Sequence, residues 1–177
     1  MSSKCTKQQG FTLIELLITI AIAAMVLSFA VPAVKTMIRN NQLTAATNDL
    51  ISTLHYARSE AIRRGLPVAV CSSSNNATCS ADTDWSTGWI TWVDADNNNT
   101  LDGGEDVTFM MSNDSQSLNL LNSTGQSSLR YLPSGYLSIA PGTPIAFHVC
   151  DDRTAETGRL INISPTGSPR VRNAPCG

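Results

Sequence analysis

The stretch FTLIELLITIAIAAMVLSFAV, from Phe11 to Val31, constrains this chain more than any other part of it. It is almost wholly apolar and about 20 residues long, the length a helix needs to cross a hydrocarbon layer of ~30 Å. A polar decapeptide, MSSKCTKQQG, precedes it and carries Lys4 and Lys7. Cations ahead of a span predict that this end stays in the cytoplasm. A secretory signal peptide places its cleavage site after the apolar run, behind small residues. Here the change from polar to apolar comes before the run, at Gly10–Phe11. One carboxylate, Glu15, stands inside the run. A charge in lipid is costly and marks function, and it becomes tolerable where a cation meets it.

The helical pattern continues past the apolar run. Beyond Pro32, where a kink is expected, Leu43, Ala46, Leu50, Leu54, Ala57 and Ala61 recur at spacings of three and four. That spacing makes one apolar helical face. Asn48, Asp49, Ser52 and Arg58 lie off it. Arg63 and Arg64, then Gly65 and Pro67, read as a helix end, with cations in the last turn, a cap glycine and a proline that stops propagation. The spacing predicts one helix from about residue 12 to residue 64, roughly 80 Å long at 1.5 Å per residue.

After Pro67 the period drops to two. VAVCS, GWITWVD, VTFMM, LRYLP, GYLSI, PIAFHVC and GRLINIS are short β-branched or aromatic runs separated by turn residues. They predict an antiparallel β domain, two sheets or one strongly curved sheet, packed against the apolar stripe of the helix. The fold class is therefore α+β. The polar stretch SNDSQSLNLLNSTGQSS is expected to be a flexible surface excursion.

Cys5 stands apart, while Cys71, Cys79, Cys150 and Cys176 lie in the β-rich part. Four cysteines allow three pairings. The expected one is Cys71–Cys79 with Cys150–Cys176, because each bridge then closes a short local loop. No CxxC spacing points to a metal, and disulfides imply an oxidising compartment.

The junction KQQG-FTLIELL resembles the class III leader of type IV pilins and type II secretion pseudopilins. That resemblance implies that a prepilin peptidase cleaves after Gly10 and methylates the new N-terminus at Phe11. It also implies that Glu15 meets a neighbouring subunit's terminal amine during assembly. Three further segments, NDLISTLHYARSEAIRRGLPVAVCSS, GWITWVDADNNNTLDGGED and the late GR…PTG…RVR…C, are similar to the FimT/GspH family of minor pilins. The implied layout is a leader over 1–10, a transmembrane half-helix over 11–31, an amphipathic half over 32–64 and a globular head over 65–177. The resemblance also implies an inner-membrane single-pass protein with a periplasmic head, later carried on a cell-surface pilus, whose partners are other major and minor pilins. FimT-type members imply a role in DNA uptake during natural transformation (competence). A structural priming pilin, or a GspH-like pseudopilin that binds no DNA, remains the alternative.

Four further features bear on function. The twelve-residue stretch from Asp94 to Glu105 puts oxygen-bearing side chains at Asp94, Asp96, Asn98, Thr100, Asp102 and Glu105. That spacing is close to an EF-hand calcium loop, with Asn99 where glycine is usual. The same composition suits a plain hairpin turn. Trp85, Trp89 and Trp92 are either core or a stacking platform for single-stranded nucleic acid. Opposite parity predicts that one of Trp89 and Trp92 faces inward and the other outward. His55 and His148 have no nucleophile or second ligand nearby in sequence and are expected to be structural. Asp151, Asp152 and Glu156 share one loop without an organised base, and no enzyme is expected.

The chain as a whole has formal net charge −2, which argues against a globally basic nucleic-acid binder. The segment from Arg159 onward, however, holds Arg159, Arg170 and Arg172 and no Asp or Glu. Arg170 and Arg172, two apart, share one side of an extended chain, and guanidinium forks suit phosphate oxygens. Arg153 and Arg159 are expected to extend this patch. The FimT resemblance implies a Gly-Arg-x-Arg motif that contacts DNA. Here Gly167 is followed by Ser168 and Pro169 before the arginine pair.

Overall fold

The structure is a computed structural model that describes residues 11–112, 118–140, 143–153 and 157–176. The chain divides into two units, one ending at Asn40 and the other beginning at Asn41. The division falls inside the helix and not at residue 65, because the last turns of the helix belong to the core of the head. The leader, with Gly10, lies outside the described residues.

One helix, α1, runs over Leu13–Arg64. The Glu15 N–H donates to Thr12 Oγ1 at 3.3 Å, so Thr12 caps the first turn. The helix continues through Pro32, and Thr36 Oγ1 donates to the Pro32 carbonyl at 3.1 Å. From Phe11 to Ile38 its apolar side chains are exposed, and it is long and apolar enough to cross a membrane. The C-terminal portion is different. Leu43, Ala46, Leu50, Leu54, Ala57 and Ala61, the stripe read from the spacing, are all buried. Gly65 closes the helix with φ +67°, its N–H donating to the Ala61 carbonyl at 3.0 Å, as a left-handed cap requires.

The head holds two four-stranded antiparallel sheets. Strands β1 (Val68–Ser72), β2 (Gly88–Val93), β3 (Val107–Ser112) and β5 (Ser128–Tyr131) form one, in the order β3-β2-β1-β5. Strands β4 (Leu118–Asn122), β6 (Ile145–Asp151), β7 (Thr157–Ile163) and β8 (Pro169–Pro175) form the other, in the order β4-β6-β7-β8. One core joins the helix stripe to the inner faces of both sheets, through Val68, Val70, Trp89, Leu129 and Tyr131 from the first and Leu120, Phe147, Val149, Ile161 and Ile163 from the second. A smaller core of Ala69, Cys71, Ile90 and Trp92 lies on the far face of the first sheet, under Leu101 and Val107.

Three sequence expectations need correction. The polar excursion contains β4, whose burial alternates because Leu118, Leu120 and Asn122 turn inward while Asn119 and Leu121 turn out. GYLSI is not a full strand. It makes an isolated bridge, Leu137 to Tyr131, and its amides donate instead to Pro165 and Arg130 carbonyls. The tail, which no strand run marked, is strand β8, paired with β7 along its whole length.

All three tryptophans are buried, so none forms an exposed platform. Trp89 and Trp92 do lie on opposite faces, but Leu101 covers the second face as the core covers the first. Trp89 Nε1 donates to Thr53 Oγ1 on the helix at 2.9 Å, and Trp85 packs edge-on against Phe147. The helix-end cations also have partners. Arg63 Nε donates to Glu60 at 2.8 Å, Arg64 Nε reaches the same carboxylate, and Arg64 Nη1 donates to Asp106 at 3.0 Å. The Arg63 hydrogen bond above all holds Glu60 down at about 2, against an ordinary carboxylate value of 4.5.

Candidate functional site: the arginine strand and the acidic loop

The β7–β8 hairpin is built by its turn. Gly167 has φ +79°, and its N–H donates to the Ser164 carbonyl at 2.8 Å. A Cβ on Gly167 would lie 2.6 Å from the Gly135 carbonyl and 2.7 Å from the Tyr131 ring, so only glycine fits. Two long side chains, one from β5 and one from α1, grip this turn. Tyr131 Oη donates to the Gly167 carbonyl at 3.3 Å, and Arg58 Nη1 donates to Ser168 Oγ at 3.3 Å. Burial pushes the Tyr131 phenol well above its ordinary range, so it stays a donor. Ser168 completes the turn and Pro169 opens the strand, so the two residues between Gly167 and the arginines are absorbed by the hairpin.

The far end of β8 is pinned by a disulfide from Cys150 on β6 to Cys176. The bridge lies over Gly158 of β7, where a Cβ would come within 2.5 Å of the Val149 carbonyl and 2.8 Å of Cys150 Sγ. The other bridge joins Cys71 to Cys79. Both follow the local pairing.

Between these anchors, Arg170 and Arg172 stand opposite Asn162 and Leu160, on the face turned away from the core. Both are exposed, and among the described residues neither has an ion pair or a hydrogen bond. The other two arginines do not join them. Arg159 stands opposite Asn173 and has the parity of Ile161 and Ile163, so it starts from the opposite face, and its Nη1 donates to the Gly158 carbonyl at 3.3 Å. Arg153 is bound to the buried Asp151, with Nη2 at 2.5 Å and Nε at 2.7 Å from Oδ2. Glu156 falls outside the described residues.

β8 is also an edge strand, and edge strands are blunted by charge and proline against pairing with other chains. Arg170, Arg172, Pro169 and Pro175 fit that role too. Edge protection explains a charge on β8. It does not explain why both cations lack a partner among the described residues, on a chain with more acids than bases.

The acidic loop is the opposite case. Asp94, Asp96 and Glu105 bring carboxylate oxygens within 4.8 Å of one another. Asn97 and Asn99 take left-handed φ of 65° and 64°, as asparagine tolerates. Yet the loop is already satisfied from within. Asp94, fully buried, accepts from the Asn98 and Asn99 N–H groups at 3.0 and 3.2 Å. Asn98 Nδ2 donates to Asp96 and Asp102 at 2.7 and 2.6 Å, and Glu105 accepts from the Ala95 and Asp102 N–H groups at 2.9 and 3.1 Å. Arg130 on β5 supplies a cation, its Nη2 lying 2.7 Å from Asp94 Oδ2 and also donating to Asn97. The guanidinium thus sits on the carboxylate that a calcium ion would take first. Thr100 contributes only a backbone N–H, to Asn98 Oδ1 at 2.7 Å. Arg130 was not legible as a loop residue. Its only sequence signal was a charge in the strand LRYLP, and the β1–β5 register brings it there.

His148 is half-exposed on the outer face of β6, opposite Leu121 and Leu160, and His55 is exposed on α1.

A long helix whose C-terminal portion packs on two antiparallel sheets, the inner faces of which share its core, is the pilin architecture. Two crystal structures of the type IV minor pilin FimU of Pseudomonas aeruginosa PAO1, in space groups P65 and P21, share this fold. Their TM-scores are 0.56 and 0.55, at 23% identity, covering 75% and 77% of this chain and 92% and 91% of theirs. No curated protein matches the sequence. Residues 46–167 match the family described as type II transport protein GspH, and residues 5–31 match the prokaryotic N-terminal methylation motif. The chain belongs to the GspH family of pilin-like proteins.

Proposed function

We propose that this protein is a minor pilin of a type IV pilus whose head binds DNA through its phosphates for uptake in natural transformation. Prepilin peptidase cleaves it after Gly10 and methylates Phe11. The segment 11–31 holds it in the inner membrane, with the head (65–177) in the periplasm, until Glu15 meets a neighbouring pilin's terminal amine and the subunit enters the pilus. The observation that carries the DNA reading is the pair Arg170 and Arg172, without partners among the described residues and fixed on one face of a strand clamped at both ends. Clamping lowers the ordering cost of gripping a phosphate. Two contacts give weak binding, so several heads or partner pilins act together.

The test is a gel shift of duplex DNA with the detergent-solubilised full chain. Wild type retards it at low salt, and R170A/R172A does not. Equal retardation overturns the proposal.

The family's description favours a second reading, a pseudopilin of type II secretion without DNA binding. A deletion strain separates them: loss of DNA uptake with intact pili supports the first, and loss of protein export supports the second.

A further inference from the structure

The outer face of the β4-β6-β7-β8 sheet is turned away from the shared core, and its register reads as rows. Arg172 lies opposite Leu160, Leu160 opposite His148 and His148 opposite Leu121. In the next row Arg170 lies opposite Asn162, which lies opposite Ala146. Directly opposed residues share a face, and two strand spacings put Arg172 and His148 roughly 10 Å apart.

At the β4–β6 end of this face is a cavity of about 690 Å³, lined by Leu121, His148, Asn119, Cys150 and Cys176, with Asp152 and Arg153 at one side. Leu121 is 45% exposed there. Among the described residues the side chains of His148 and Asn119 have no hydrogen-bond partner. The cavity therefore offers an aliphatic surface, an imidazole plane and an amide. An unstacked nucleobase wants the same things, a stacking face and polar groups for its edge.

The charges are ordered along the face. Among the described residues the rows from β8 to β4 carry only the two arginines, whereas Asp151 and Asp152 lie by the cavity. Asp151 is already held by Arg153. This polarity draws phosphates to β8 and away from the acidic side of the cavity.

We infer that the ligand of this face is single-stranded nucleic acid, with its phosphates on Arg170 and Arg172 and a base lodged in the cavity against His148 and Leu121. The inference rests on the DNA-binding reading above. A duplex keeps its bases stacked, and unstacking one to fill the cavity has a free-energy cost. A single strand bears little of that cost.

The experiment is fluorescence anisotropy of the full chain in detergent with a labelled oligonucleotide about 20 nucleotides long, as a single strand and as its duplex. The single strand is expected to bind about fivefold or more tighter. His148→Ala and Leu121→Ser remove that preference without changing duplex binding. His148→Phe, which keeps a ring, restores it and guards against a folding artefact. R170A/R172A weakens both ligands. Equal binding of single strand and duplex, or an unchanged preference in His148→Ala, overturns the inference while leaving the phosphate contacts standing. If R170A/R172A binds like wild type, the phosphate reading falls and this inference with it.

Discussion

The loop from Asp94 to Glu105 and the strand β8 are both charged surfaces of one head, and they resolve their charge in opposite ways. In the loop, Asp94, Asp96, Asp102 and Glu105 are each tied to backbone amides, to Asn98 or to Arg130. In β8, two guanidiniums stand on a clamped strand and meet nothing among the described residues. Charge that is matched inside the molecule holds structure. Charge that the fold positions and leaves without a partner among the described residues is where the proposed function puts the DNA phosphates.

This contrast is broken most severely at Arg130. Arg130→Ala leaves Asp94 buried with its charge uncompensated, a loss of about 3–5 kcal/mol. Thermal unfolding of the full chain should show a melting temperature lower by roughly 10 °C. Arg170→Ala should move stability by no more than about 0.5 kcal/mol, as for an exposed residue without partners. Equal effects at the two positions would erase the distinction.

Removing the clamp comes next. C150S/C176S opens a loop of 26 residues, and the chain-entropy relation gives a loss of about 3.5 kcal/mol. Gly158→Ala forces a methyl onto the bridge and should cost about 1–3 kcal/mol. Urea unfolding measures both, and both variants should bind DNA more weakly as β8 loosens.

The pH dependence is smaller. Glu60 is depressed to about 2 in the folded chain from 4.5, so the unfolded chain binds the proton first on acidification. The stabilisation is complete above about 4.5 and is lost as pH falls toward 2. Glu60→Gln should flatten the melting temperature across that window, while matching wild type more closely at its acid end.

The smallest expected effect is that of calcium. With Arg130 on Asp94, millimolar calcium should leave the melting temperature of wild type unchanged. A clear rise would show that the ion displaces the guanidinium.

Much of this was legible in the sequence wherever periodicity carried the information. The stripe from Leu43 to Ala61, the cap at Gly65 and the strand runs from VAVCS to GRLINIS are local patterns, and the fold follows them. β4 was hidden because LNLLN sits in serine and asparagine, and only the partner β6 gives it a reason to be extended. β8 was hidden because an edge strand keeps few apolar residues to alternate. The arginine pair was visible as a charge pattern, but what distinguishes it from Arg153 and Arg159 was not. That difference lies in strand parity and in the Asp151 ion pair, which are properties of pairing partners distant in sequence. Which of Trp89 and Trp92 faces the main core, and that the other is also buried, was not legible, because the loop that covers Trp92 carries a single leucine, Leu101, among its acids and asparagines.

The central claim is that β8 presents two bare arginines to nucleic-acid phosphates. The most direct measurement is duplex affinity of the full chain in detergent against salt concentration, for wild type and R170A/R172A, with melting temperatures in parallel. Two phosphate contacts predict a slope of log K against log salt of about −1.8 for wild type and a much flatter line for the double variant. Melting temperatures should agree. Superimposable salt curves for the two proteins would contradict the account.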